Sequence, residues 1–327
     1  MTASPNQAQS PRAWLFLAAK AAVTVLLLGW LLSRIDLGPV LVRLSRIDPF
    51  WTLAAVAIMT AQVLLTGWRW GLIARAIDSP IGMEPALRLT LVGHFFSQTL
   101  PSAIGGDAVR AYLVTREGMS AGKAASSVII DRGTALALMV VLMGALLPLF
   151  FARVDDPAWR GGMAILVGVA IAGLVVFLLV ANPIAALVEN TRIGKPFASL
   201  ARDLRRVLIG ARESAPIVAS AIVVHLMVAT GAYALTRGLG IAVGLIDCWV
   251  MIPPVVLLTT LPISIAGWGV REGASVALLG FVGVSPADAL AMSVAYGIVL
   301  IVVGIPGGLL WLRGQKSTQR PARSQSP

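Results

Sequence analysis

Residues 99–110 read TLPSAIGGDAVR and residues 260–271 read TLPISIAGWGVR, and the reading of these two stretches decides the fold. They agree at seven of twelve positions without a gap, at an offset of 161 residues. Each sets a proline and glycines inside an apolar run: Pro101 with Gly105 and Gly106, and Pro262 with Gly267 and Gly269. Proline removes a backbone donor and glycine weakens a helix, so each stretch predicts that one helix ends and another begins.

Around these breaks the chain is too apolar to build a water-soluble surface: 57% of its 327 residues are hydrophobic, 13% are charged, and the mean hydropathy is +0.86. Runs of roughly 20 apolar residues, the length of a bilayer-crossing helix, recur at 14–33, 50–74, 128–151, 160–181, 215–236 and 287–312. No ~10-residue alternating strands of a membrane barrel are visible. The broken stretches, 86–117 and 246–283, are each long enough to enter the bilayer and return, as a re-entrant hairpin or as two crossings. The fold expected is an all-α, polytopic transmembrane helix bundle. Ala21 to Leu32 resembles a signal-peptide core, but no A-x-A-like site follows, so 14–33 reads as an uncleaved first span.

The 161-residue offset lays span 50–74 over 215–236 and span 128–151 over 287–312. Gly118-Met119-Ser120 and Gly283-Val284-Ser285 follow the two copies at a slightly larger offset. Halves of about 13–151 and 160–312 then hold three spans and one broken element each. An odd number of crossings turns the second half upside down, the inverted-repeat plan of many secondary transporters. Chance similarity between short Gly/Pro-rich stretches is the alternative.

The net charge of +11 comes from bases spread over short loops and two tracts, which reads as topology and headgroup contact rather than nucleic-acid binding. With the N-terminus inside, 18 of the 26 bases fall inside and 6 outside, with Lys20 and Arg271 in membrane segments. The expected location is a bacterial inner membrane with both termini cytoplasmic. The basic loop 182–214 carries Arg202, Arg205, Arg206 and Arg212 at helical spacing among Leu204, Leu208 and Ile209, the pattern of an interfacial amphipathic helix. Residues 1–12 and 314–327 read as disordered tails.

Backbone groups freed at a break inside the bilayer must face protein, water or a ligand. Helix N-termini near Gly106 and Gly267, with Arg110 and Arg271 in the turns that follow, suit a phosphate or carboxylate. Two hairpins that only pack are the bland counterpart. Asp107 and Arg110, three apart, share a helix face, and Glu272 adjoins Arg271, so structural ion pairing competes with a ligand role. Asp131-Arg132 reads as a charge pair opening the span near 128. Trp68-Arg69-Trp70 reads as an aromatic-belt anchor. His94 and Gln98 lie one turn apart before the first break, and His225 is too isolated to form a metal site with His94. The single cysteine, Cys248, reads as packing. No metal or cofactor is expected, and no nucleotide-binding motif is visible.

FFSQTLPSAIGGDAVRAYLVTREG, SSVIIDR at 126–132 and LPISIAGWGVREG resemble the lysylphosphatidylglycerol synthase transmembrane region, a flippase-like family, over about 15–312. That resemblance implies a domain that carries aminoacylated phospholipid between leaflets, while a separate soluble domain performs the aminoacyl transfer. The chain as given stops at Pro327 without that domain, so the translocation or lipid-binding half alone is implied, with phospholipid, aminoacylated phospholipid, glycolipid and hopanoid all open as substrates. Carried over by position, Asp107, Arg110, Asp131, Arg132, Arg271 and Glu272 match the family's polar motif residues. The expected function is a lipid translocator, not an enzyme, with anionic or phosphate-bearing headgroups as partners. A lipid-biosynthetic enzyme or a second copy of the chain remains open as a protein partner. The rivals are an intramembrane lipid-modifying transferase using Asp107 or Glu272 as base, and a scaffold for a lipid-biosynthetic enzyme.

Overall fold

The computed structural model describes residues 11–100, 105–191, 194–261 and 264–318. Pro101 and Pro262 lie outside the described residues, as do 1–10 and 319–327, the outer parts of the expected disordered tails. The described chain is helical, without strands: α1 Pro11–Leu32, α2 Leu37–Ser45, α3 Pro49–Ala76, α4 Met83–Thr99, α5 Gly105–Thr115, α6 Ala121–Phe151, α7 Pro157–Val188, α8 Gly194–Arg205, α9 Ser214–Gly238, α10 Leu245–Thr260, α11 Val270–Gly280 and α12 Pro286–Thr318. A π-helical turn, Arg206–Gly210, continues α8.

Five helices, α3, α6, α7, α9 and α12, are long and apolar enough to cross a membrane, and α1 with α2 supplies a sixth candidate bent by 95°. Local chemistry sets the starts of several. Asp48 and Asp156 cap α3 and α7 by accepting backbone N–H bonds, with Pro49 and Pro157 at the first helical position. Three boundaries depart from the sequence reading. Helix α6 begins at Ala121 rather than near 128, because the Ala-rich AGKAASS stretch favours helix even where its hydropathy is low. Helix α7 runs to Val188, which shortens the loop expected over 182–214. Helix α12 continues to Thr318 into the expected tail. The amphipathic helix expected in the loop is α8.

Helix α3 packs antiparallel on α9: Met59 lies against Gly231, Trp51 and Ile47 against Gly238, and Asp48 N–H bonds the Gly238 carbonyl at 2.9 Å. The α2–α3 junction therefore sits at one end of the bundle, and α8, with the end of α3, at the other. Helix α4 runs antiparallel to α12, with Leu91 on Gly307 and Phe95 on Gly304 and Gly308, so it enters from the α8 end. Helix α5 returns along it: Gly106 packs on Gly93 and Ser97, and Arg88 near the start of α4 bonds Glu117 just past α5 at 2.6 Å. Helices α4 and α5 thus form a hairpin that returns to the end it entered from. The second enters from the α2 end, where Asp247 at the start of α10 pairs with Arg153 beyond α6, and Phe281 past α11 stacks edge-on Trp159 in the first turn of α7. Gly118 (φ +96°) and Gly283 (φ +80°) take the left-handed turns that end α5 and α11 and redirect the chain into α6 and α12.

The breaks converge on one stretch of α12. The Leu91–Gly307 and Phe95–Gly304 register carries the end of α4 toward Leu300, whereas Trp268 and Arg271 pack on Gly297. The helix contacts have an internal order: α4 lies among α3, α5 and α12 as α10 lies among α9, α11 and α6. Helix α5 rests on α6 as α11 does on α12, and α2 rests on α12 as α8 does on α6. Exchanging α2–α6 with α8–α12 maps this set of contacts onto itself. Helices α1 and α7 stand outside it, α1 covering α11 and α7 packing on α6 and α8.

Small residues permit the closest helix approaches, because a side chain at Gly307 would overlap the Leu91 carbonyl. Gly307→Leu is expected to cost about 1–3 kcal/mol by overpacking, read as a lower melting temperature in detergent. Gly168→Leu, on a stretch of α7 with open space around it, should leave the melt unchanged.

Candidate functional site

A carboxylate inside a bilayer needs cations close by, and Asp131 has two. Its side chain, on the third turn of α6, accepts from Arg69 Nε of α3 at 3.0 Å and from Arg110 Nη2 of α5 at 2.9 Å. Asp131 and Arg69 are each 2% exposed. The Arg110 guanidinium also lies over the Trp70 ring, 4.6 Å from its centroid, and the indole N–H of Trp70 donates to Ser127 at 3.2 Å. A fully buried Trp70 and Arg69 correct the reading of 68–70 as an aromatic belt: the pair faces inward and forms the floor of the site. Likewise, Asp131 does not open a span at the membrane surface. It sits ten residues into α6, inside the protein.

From Arg110 the network continues outward. Asp107, one turn earlier on α5, lies 3.5 Å from Arg110 and bonds Arg132 of α6. The Arg132 side chain is 53% accessible, so its guanidinium is open rather than packed shut. His94 stands on α4 facing α12, and its Nε2 is buried without a partner. Arg69 Nη1 and Arg110 Nε are also buried donors without an acceptor.

At the second break the solution is different. Arg271 pairs with its own neighbour Glu272, at 2.7 Å from Nη2 and 3.1 Å from Nε, and lies over Trp268 at 4.5 Å. Glu272 is fully buried. Its other oxygen accepts the Gly269 N–H at 2.6 Å, and Ser293 of α12 donates to Oε1 at 3.0 Å. The N-terminus of α11 is thus met by the protein's own carboxylate. Gly267 and Gly269 belong to the turn before α11, where α1 closes over them: Leu27 packs on Gly269, and Thr24 accepts the Ile265 N–H at 2.9 Å.

The structure therefore brings Gly105, Gly106, Asp107, Arg110, Asp131 and Arg132 together in one network. Gly267, Gly269, Arg271 and Glu272 form a second one that shares no side chain with it. Sequence reasoning missed Arg69 and Trp70. Arg132, the neighbour of Asp131 in the chain, bonds Asp107 instead, so Asp131 draws its cations from α3 and α5, a long-range contact that no spacing in the sequence signals.

Removing the carboxylate from the inner network leaves Arg69 unpaired and Arg110 with only its 3.5 Å contact to Asp107. Asp131→Asn is expected to destabilise the protein by roughly 3–5 kcal/mol, whereas Arg132→Gln should cost much less, because its side chain is half open to water. Paired thermal melts in detergent check the ranking.

The sequence model described as the lysylphosphatidylglycerol synthase TM region matches residues 17–308, which contain both breaks and both ionic networks. A "UPF0104 membrane protein" of Methanothermobacter thermautotrophicus is 30% identical over 113 residues, a third of its own length and 34% of this chain. With its multi-pass helical architecture, the chain belongs to the lysylphosphatidylglycerol synthase TM region family.

Proposed function

We propose that this protein takes a phosphate-bearing lipid headgroup at the accessible guanidinium of Arg132 and carries it between leaflets while the acyl chains stay in the bilayer. The observation that carries the reading is a charge excess. Arg69, Arg110 and Arg132 face only Asp107 and Asp131 in one connected network among the described residues. An unbalanced guanidinium at membrane depth costs at least ~2.5–3.5 kcal/mol, and an anion relieves that cost. The open guanidinium of Arg132 is where a phosphate would arrive, and the unpartnered donors on Arg69 and Arg110 extend the positive field behind it.

The contact exchange between α2–α6 and α8–α12, together with antiparallel packing of α3 on α9, supports an inverted repeat. In such a repeat each hairpin opens toward its own side, and the middle of α12 lies between them as the crossing point. The base-rich α8 end is then the cytoplasmic one, in a bacterial cell membrane. The transferase alternative draws less support. Both oxygens of Glu272 are engaged by Arg271, Ser293 and the Gly269 N–H, and both oxygens of Asp107 by arginines, which leaves neither free to act as a base.

Proteoliposomes carrying fluorescent phosphatidylglycerol, its lysyl ester or phosphatidylcholine test the proposal through leaflet exchange. The protein should accelerate exchange of at least one phosphatidylglycerol species. Arg132→Gln should slow it about tenfold, the equivalent of ~1.4 kcal/mol. Exchange no faster than in protein-free vesicles for every lipid would end the translocator reading.

A further inference from the structure

The two ends of the bundle are built from matching parts that differ in charge. At the α8 end, Lys123 at the start of α6 pairs with Asp203 of α8 at 3.3 Å and donates to the Ile77 carbonyl, just past α3, at 3.0 Å. At the α2 end, Arg43 of α2 pairs with Asp288 at the start of α12 at 2.9 Å and donates to the Leu239 carbonyl, just past α9, at 3.2 Å. The positions correspond at offsets of 160 to 165 residues: 43 with 203, 77 with 239, 123 with 288. The ion pair is kept and its polarity is reversed.

The same offsets relate Arg46 to Arg206, Arg237 to Arg75, and Gly240 to Asp78. Gly240 and Asp78 even share the left-handed backbone, at φ +68° and +56°. At the α8 end the Asp78 carboxylate takes Arg206 with both oxygens, at 2.6 and 3.3 Å, and the hydrogen bond from Arg206 holds that carboxyl below its ordinary range. At the α2 end a glycine stands where that carboxylate would be, and Arg43 replaces Asp203. Arg46 and Arg237 then have no carboxylate partner among the described residues. Arg237 lies over Trp51 at 5.6 Å, and Asp48, the one acidic residue of the cleft wall, is engaged as the cap of α3. In place of the missing carboxylate is a cleft of about 500 Å³ lined by Arg43, Arg46, Asp48, Arg237 and Gly240.

We propose that this cleft docks the phosphate of an anionic lipid between Arg46 and Arg237, the phosphate serving Arg46 as Asp78 serves Arg206 at the opposite end. A lipid is favoured over a free anion because Leu41, Val42, Phe50 and Leu53 expose an apolar surface beside the cleft, on and next to a helix bent 95° from α1. The assignment rests on the lipid reading of the family but concerns a site apart from Arg132.

Native mass spectrometry of protein released from phosphatidylcholine nanodiscs doped with phosphatidylglycerol tests it, by counting retained phosphatidylglycerol. Arg46→Gln with Arg237→Gln should lower retention about tenfold. Gly240→Asp should do the same while keeping every arginine, because it restores the internal carboxylate. Arg34→Gln, which removes one charge from a neighbouring surface position, and Arg206→Gln at the other end should leave retention unchanged. Melting curves identify any variant that fails to fold, and Gly240→Asp then carries the test. Wild-type retention in Gly240→Asp, or equal loss in Arg34→Gln, would overturn the site. Displacement of the lipid by an equimolar amount of glycerol phosphate would overturn its assignment to a lipid. Loss of retention in a protein whose exchange assay shows no transport would leave this site standing and remove the translocator reading alone.

Discussion

Asp131 is the point on which the interior depends. One carboxylate, 2% exposed, joins α3, α5 and α6 through Arg69 and Arg110. Charge at membrane depth persists only where it is paired, hydrogen-bonded or solvated. That requirement fixes the tilt of the short helix α5 against its neighbours. It also accounts for the turn of the α4–α5 hairpin. Arg110 would face hydrocarbon if α5 ran straight through the bilayer, whereas a hairpin returns it to Asp131 and the face of Trp70.

The second half meets the same constraint with different residues. Arg271 keeps the guanidinium and the aromatic face, here Trp268, but draws its counter-charge from the adjacent Glu272 and spends that carboxylate on the N-terminus of α11 as well. The result is a neutral, closed network on one side of α12 and a network with a positive excess and an accessible arginine on the other. This asymmetry, set in a nearly symmetric scaffold, is what gives the first hairpin its functional interest. At the two ends of the bundle the logic recurs: ion pairs are conserved in place while their signs are exchanged, and one end is left open.

Much of the architecture was legible in the sequence because it follows from hydropathy length and from two Pro/Gly interruptions, signals that act locally. The five long apolar helices, the bent α1–α2 pair and the amphipathic α8 overlap the stretches that composition and period mark, with the bounds of α6, α7 and α12 displaced. The side-chain partners were less legible, for physical reasons. Arg69 sits between two tryptophans near the end of an apolar run, a pattern that an interfacial anchor shares, and only the inward rotation of α3 tells the two apart. The start of α6 was set too late because membrane hydropathy fades before helix propensity does. Arg110 and Asp107 were rightly placed on one face, yet the tighter partner of Arg110 comes from α6, a contact that no short-range spacing encodes.

The central claim is that the two breaks enter the membrane from opposite sides and return to them. Single cysteines at Glu84, Ser120, Ala242 and Ser285, in a Cys248→Ala background, can be probed with an impermeant thiol reagent in sealed vesicles of known orientation. The account predicts that positions 84 and 120 label from one side and positions 242 and 285 from the other. Labelling of 84 and 120 from opposite sides, or of all four from the same side, would contradict it.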